Sequence, residues 1–356
     1  MENFIYEQQA AKIVFGRGKR KSVKEEVKRL GANRALVIST QGRKKEAEEI
    51  AACLEEVSAG LHDKARQHVP KENVTDVVQE MKDVQADTLV AVGGGSAIGL
   101  AKAAVLQLNM PIVAVPTTYS GSEMTAVWGI TSHGKKQTGK DTACQPKTVI
   151  YDPELTVTMP PSLSLTSGVN AMAHCVEALY ASNENPITSL MAEEGIRALH
   201  ESLGNIVRNP HDMEARSLAL YGSWLSGSAL ASVGMALHHK LCHVLGGTCQ
   251  LPHAETHTVV LPHALEYNRP DVPKAIQAVA RALQTGEQHV PSKLFTFIKD
   301  NGGPTSLEEI GMKKGDIDKA AELATEKAYD NPREVTKEGM KKLLTQAFAG
   351  KQPLCS

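Results

Sequence analysis

Residues 89–99 read LVAVGGGSAIG, an apolar run followed by three glycines and a serine, and the apolar stretch Leu100–Leu108 comes next. That order predicts a buried strand, a tight turn and a helix. Glycines at such a turn let the backbone approach a pyrophosphate, whose charge the free N–H groups and the helix dipole stabilise. Gly93, Gly94, Gly95 and Ser96 are therefore the candidate phosphate cradle. The spacing is not G-x-G-x-x-G, and a turn that needs positive φ explains a single glycine cluster equally well.

The neighbouring sequence repeats the alternation. Apolar runs rich in β-branched residues at Lys12–Phe15, Ala35–Ser39, Thr88–Val92, Ile112–Val115 and Thr148–Tyr151 are separated by helix-favouring stretches at Ser22–Leu30, Lys44–Glu56 and Glu72–Val84. Strands alternating with helices of this length read as crossover units of a parallel sheet. After Asp152–Pro153 and Pro160–Pro161 the strand signal fades, and eight segments with helical spacing follow, from Ser167–Ala181 to Lys337–Ala347. The expected fold is α/β plus all-α: a doubly wound dinucleotide-binding domain over residues 1–157 and an all-helical domain over residues 158–356.

A second polar loop, PTTYSGSE at residues 116–123, follows the next strand and adds Thr117, Thr118 and Ser122 to the candidate cofactor groups. In doubly wound sheets ligands bind beyond the carboxyl ends of the strands, where both loops would lie. After Ala35–Ser39, where an NAD-selective site often carries an acid for the ribose 2′-hydroxyl, stands Thr40, with Arg43 nearby. A neutral residue there admits NADH or NADPH. Arg43 reads equally as a solvated residue at a helix start.

The chain has 356 residues, 39 Lys and Arg against 40 Asp and Glu, and a net charge of −1. A broad basic nucleic-acid-binding face is not expected. No apolar run approaches the roughly 20 residues of a membrane span. The opening MENFIYEQQAAK has no basic-then-apolar signal, so a cytoplasmic protein is expected. The six cysteines, Cys53, Cys144, Cys175, Cys242, Cys249 and Cys355, form no C-x-x-C pair and read as reduced thiols.

Of 13 histidines, six lie between residues 238 and 263, and His174 lies in SGVNAMAHCVEALY. Asn170 and His174 are i, i+4 on one helix, as are His239 and His243 on another, so each pair shares a face. Gly246–Gly247 is expected to end the second helix, and His253, after a proline in a turn, to come back towards that face. Convergent histidines at this spacing point to a metal site or a general-acid site.

The loops GGGS and PTTYSGSE, the helix NAMAHCVEA and the run HHKLCHVLGG ending in LPH are similar to the iron-dependent alcohol dehydrogenase family, over nearly the whole chain. The resemblance implies an active site in the cleft between the two domains. It also implies metal ligands at Asn170, His174, His239 and His253, with His243 near the nicotinamide. Where metal-dependent members carry an aspartate, this chain has Asn170, which removes the one anionic ligand. No metal is therefore expected, and within the family the chain looks most like the branch that reduces maleylacetate, and probably its chlorinated forms, to 3-oxoadipate in aromatic-compound breakdown. Hydride added β to the substrate ketone leaves an enolate, which hydrogen-bond donors can stabilise. His174, His239, His243 and His253 are the expected catalytic groups. Asn170, His238, Lys240 and Tyr329, with Arg333 from the tail, are expected to meet a small dicarboxylate substrate. A homodimer is expected. The alternative is a metal-dependent alcohol or polyol dehydrogenase of the same fold.

Overall fold

The computed structural model describes residues 4, 6, 11–132 and 135–353. Cys355 and most of the opening segment lie outside them. Residues 11–159 and 160–353 fall into different compact units. Among the described residues no helix is long and apolar enough to cross a membrane.

The first unit runs β1 (Lys12–Phe15), α1 (Val23–Arg29), β2 (Ala35–Ile38), α2 (Lys44–Leu54), β3 (Ser58–His62), α3 (Lys71–Asp83), β4 (Thr88–Gly93), α4 (Gly95–Leu108) and β5 (Ile112–Pro116). The hairpin β6 (Val127–Ser132) and β7 (Lys135–Lys140) then precedes β8 (Thr148–Tyr151). The main sheet has the order β1-β8-β5-β4-β2-β3, and every pairing in it is parallel. Alternation along β2 assigns the two faces. Leu36 and Ile38 pack with Val74, Val77 and Met81 of α3 and Ile98 of α4. Ala35 and Val37 pack with Val23 and Val27 of α1 and Ala47 and Ile50 of α2. Helices thus cover both faces, each buried Val, Leu or Ile side chain contributing about 1.5–3 kcal/mol. The five strands expected from sequence are present. The edge strand β3, SAGLH, and the lysine-rich β7, KKQTGK, lack the β-branched run that marks the others.

The second unit is helical: α5 (Pro161–Ala178), α6 (Pro186–Arg208), α7 (Met213–Ser232), α8 (Leu237–Thr248), α9 (His253–Asn268), α10 (Pro273–Leu283), α11 (Val290–Asp300), α12 (Ile317–Thr325) and α13 (Lys337–Phe348). Side-chain caps begin several of them: Asn185 accepts from the Thr188 N–H, Asp212 from Glu214 and Ala215, and Thr336 from Gly339. Two local expectations are corrected. Helix α8 continues through Gly246 and Gly247 to Thr248, because neither glycine takes the left-handed conformation that stops a helix. His253 is not in a turn but opens α9, whose Pro262 had obscured the helical pattern.

Candidate active site

Three polar loops leave the carboxyl ends of the adjacent strands β5, β4 and β2. Chain order reverses between β2 and β4, since β2 leads outward to β3 and β4 leads the other way to β5, which is where doubly wound sheets take nucleotides. Gly93 has φ +147°, and a Cβ built on Gly94 would lie 2.6 Å from Thr118 Oγ1. The turn is thus closed to any larger residue, while a Cβ on Gly95 would meet nothing within 4 Å. No side chain caps α4, whose N-cap is Gly94. The Thr117 N–H donates to Gly93 O at 3.1 Å, tying the second loop to the first. Thr117 Oγ1 is buried and unpartnered. Ser96, Thr118 and Ser122 are partly exposed, as is Thr40 at the end of β2. An open helix N-terminus beside a cradle that a Cβ would fill fits a dinucleotide pyrophosphate. Arg43 is engaged elsewhere: its Nη1 donates to Glu46 Oε1 at 2.8 Å and to Thr158 Oγ1.

In the helical unit α5 presents Asn170, His174 and Glu177 on one face, all buried. Helix α8 brings His238, His239 and His243, and α9 brings His253 and His257. The rings form one contiguous group. His174 stacks on His239 at 5.0 Å between centroids, His239 lies 5.0 Å from His257, and His257 lies 4.3 Å from His253. His243 is 6.5 Å from His239. His243 and His253 are exposed, and His174, His239 and His257 are buried behind them. Lys240 Nζ stands 5.7 Å from the Tyr329 ring centroid, so these two expected substrate groups meet. The Tyr329 hydroxyl is buried without a partner. Arg333 does not join them, because its Nη1 donates to Tyr267 O at 2.6 Å and its guanidinium covers the Tyr267 ring.

Glu177, to which the sequence reading gave no role, organises this group. Its carboxylate is wholly buried and accepts from the Ala236, His238 and His239 N–H groups at 3.1, 2.7 and 3.4 Å, and from His239 Nδ1 at 2.6 Å. Burial raises its pKa, and the bonds and the neighbouring His238 oppose that. Burial pushes the His239 pKa down to about 3 and that of His238 to about 4, with neighbouring histidines adding to the effect. Neutral His239 therefore carries its proton on Nδ1 and offers an unpartnered Nε2 lone pair. At that nitrogen it can only accept a hydrogen bond. The expectation for His238 is corrected: it is fully buried and its Nε2 donates to His257 O at 3.1 Å, so it stands behind the group rather than against substrate. The signals for the two overlooked residues were local. Glu177 follows His174 by three positions in an otherwise uncharged, buried helix, and His257 follows His253 by four.

Sequence profiles match both halves of the chain: "Iron-containing alcohol dehydrogenase" over residues 10–153 and "Fe-containing alcohol dehydrogenase family, C-terminal" over residues 164–348. The chain belongs to the iron-containing alcohol dehydrogenase family. It is an oxidoreductase. Maleylacetate reductase of Pseudomonas sp. (strain P51) is 50% identical over 351 residues, 99% of either protein. The crystal structure of maleylacetate reductase from Agrobacterium tumefaciens matches with a TM-score of 0.96 at 44% identity, covering 99% of this chain and 100% of that one. That of maleylacetate reductase from Rhizobium sp. strain MTP-10005 matches with a TM-score of 0.95 at 45% identity, with the same coverage.

The family implies a divalent ion, and the donors suit one only in kind. Imidazole lone pairs and the unpartnered Asn170 Oδ1 are ligands for a borderline ion. All of them are neutral, and the nearby Glu177 carboxylate is already bound by four N–H groups. Among the described residues His238, His239 and His257 bring ligand nitrogens within 4.8 Å of one another, but an ion held only by neutral ligands is bound more weakly than one with a carboxylate among them. The neutral donor set suits a hydrogen-bonding pocket better than a tightly held resident metal.

Two measurements follow from this geometry. Gly94→Val should abolish NADH binding, read by quenching or transfer from bound-nucleotide fluorescence, while the thermal midpoint falls only modestly; unchanged affinity would place the phosphate site elsewhere. Acid should also weaken the fold. His238, His239 and His263 have folded pKa values of about 4, 3 and 4, below the ordinary 6.5, so below pH 6.5 the unfolded chain binds protons that the folded chain refuses. Each should remove on the order of 1 kcal/mol of stability per pH unit as pH falls from 6.5 towards 4. A urea midpoint that stays constant between pH 7 and pH 5 would contradict this.

Proposed function

We propose that this chain uses NADH or NADPH to reduce the carbon–carbon double bond of maleylacetate, giving 3-oxoadipate in the breakdown of aromatic compounds. The observation that carries the reading is full-length similarity to maleylacetate reductases, joined to a histidine pocket in which Asn170 removes the carboxylate a metal would need. Chlorinated maleylacetates are expected substrates as well. A cytoplasmic homodimer suits such a catabolic enzyme.

A bound dinucleotide would supply the hydride. Gly93, Gly94, Gly95 and Ser96 would hold its pyrophosphate at the α4 N-terminus, with Thr117, Thr118 and Ser122 lining the neighbouring loop and Thr40 to meet the ribose. Hydride addition β to the ketone leaves an enolate on the substrate, and a proton must then reach the carbon α to that ketone. His243 and His253, the exposed members of the cluster, hold and deliver that proton and donate to the enolate oxygen. His174 and His239 shape the pocket floor, and the fixed His239 Nε2 accepts from a substrate or water hydroxyl. Lys240, over Tyr329, pairs with a substrate carboxylate. A metal-dependent alcohol or polyol dehydrogenase is the second reading, favoured by the His239 tautomer, since a metal-ligating histidine commonly donates its other N–H to a carboxylate.

The decisive assay is NADH oxidation with maleylacetate, beside simple aldehydes, before and after exhaustive chelation. Activity on maleylacetate should persist, and His243→Ala or His253→Ala should each lower kcat by about 10²-fold or more if that residue is the proton donor. Asn170→Asp should raise Zn²⁺ affinity by about 10–100-fold. Loss of activity on chelation, with recovery on adding metal, would overturn the metal-free mechanism and make Asn170 a working ligand, and activity on simple aldehydes without activity on maleylacetate would establish the second reading.

Cofactor choice should be permissive, because Thr40 has no charge to repel a 2′-phosphate. NADPH should support turnover with kcat/KM within about 10²-fold of NADH, a missing repulsion being a few kcal/mol at most. Thr40→Asp should depress the NADPH value more than the NADH value. A wild-type preference for NADH above about 10⁴ would overturn this.

A further inference from the structure

Lys102 is a fully buried cation on α4, the helix whose N-terminus forms the glycine turn. It lies seven residues beyond Gly95, about 10 Å along the axis. Its ammonium donates to Ser122 O at 2.5 Å, to Thr125 Oγ1 at 2.9 Å and to Val127 O at 3.1 Å. Three acceptors match the three hydrogens of a protonated lysine. Thr125 Oγ1 in turn donates to Ser122 O at 3.2 Å. Beside them Glu123, also fully buried, accepts from the Tyr151 hydroxyl at 2.9 Å through Oε1 and leaves Oε2 unpartnered. Burial pushes the Lys102 pKa down to about 7, and the Glu123 carboxylate opposes that shift.

Burying an ammonium is costly, and an apolar side chain would fill the same volume between α4 and the loop without that cost. What the lysine adds is geometry. All three bonds go to residues 122–127, the continuation of the loop that carries Thr117, Thr118 and Ser122, and two of the acceptors are main-chain carbonyls.

We propose that Lys102 is a positioning residue for the dinucleotide, its ammonium clamping the segment Ser122–Val127 to α4 so that the Thr117–Ser122 loop is held against a cofactor bound at Gly93–Ser96. The inference rests on the cofactor site described above. Lys102 touches no reacting atom; it acts through the loop.

The test uses the full chain with NADH as the probe. Lys102→Met removes the donors and keeps an unbranched apolar chain. The variant Lys102→Met/Glu123→Gln also removes the carboxylate that the first leaves unbalanced. For Lys102→Met the dissociation constant and KM for NADH should rise tenfold or more, with kcat at saturating NADH within about threefold of the original. In the double variant the thermal midpoint should recover while KM stays raised. If neither variant folds, Thr125→Val, which removes one acceptor at constant shape, should raise KM for NADH about threefold with kcat unchanged. Cofactor affinity within twofold of the original in a folded Lys102→Met chain would overturn the proposal, as would an unchanged KM in Thr125→Val. Affinity restored by Glu123→Gln would also overturn it, by showing that the lysine only neutralises a charge. Gly94→Val separates the two levels: if it abolishes NADH binding and Lys102→Met does not weaken it, the clamp alone is wrong, whereas unaffected binding in Gly94→Val removes the site and the clamp together.

Discussion

A single carboxylate without solvent contact fixes the histidine pocket. Helix α8 begins after Ser-Val-Gly-Met-Ala, a stretch that puts no capping side chain at its N-cap, Ala236. Its first N–H groups would be orphaned inside the unit had Glu177 of α5 not turned its oxygens onto them. The same carboxylate takes the His239 Nδ1 proton. One anion thus sets the helix axis, the orientation of His239 and the nitrogen it presents. His238 and His243 ride on the same helix, and α9 packs against it through Leu241, Leu245, Val259 and Val260. Removing an acid so placed leaves several buried N–H donors unsatisfied, at about 1–3 kcal/mol each.

The two units treat helix N-termini in opposite ways. At α8 the positive end of the dipole is closed by an internal anion, so it has no capacity for an external one. At α4 it is left open by three glycines, with no side-chain cap. The packing around the open end is close: Thr118 occupies the space a Gly94 side chain would need, and Val69 approaches to 3.0 Å of a Cβ placed on Gly99. Lys102 of the same helix donates to Ser122 O, Thr125 Oγ1 and Val127 O and so ties the second loop to α4.

Neutrality is the electrostatic theme of the histidine pocket. His174, His238, His239 and His257 are all buried deeply enough to stay unprotonated, and Asn170 stands where a charge would otherwise sit. The one anion in the group, Glu177, is spent on the α8 N–H groups and on His239, so the imidazoles themselves carry no charge.

The sequence by itself determined the parallel sheet, the glycine turn, the helical second unit and the pairing of Asn170 with His174 and of His239 with His243, because each is set by local periodicity: two for strands, 3.6 for helices, and steric freedom at glycine. It also determined that the pocket lacks the aspartate, since that is a matter of residue identity. Tertiary structure alone decided the rest. The strand β3 exists because β2 offers it an edge, not because SAGLH prefers to be extended. Arg43 turned to Glu46 and Thr158, and Arg333 to Tyr267, since a long cation pairs with whichever acceptor the fold brings near. The Glu177 carboxylate meets α8 across 59 to 62 positions of chain. Hydrogen bonds and burial between segments so far apart leave no trace in local spacing, and they are what settled which imidazoles are neutral, which nitrogen of His239 is free and which histidines reach solvent.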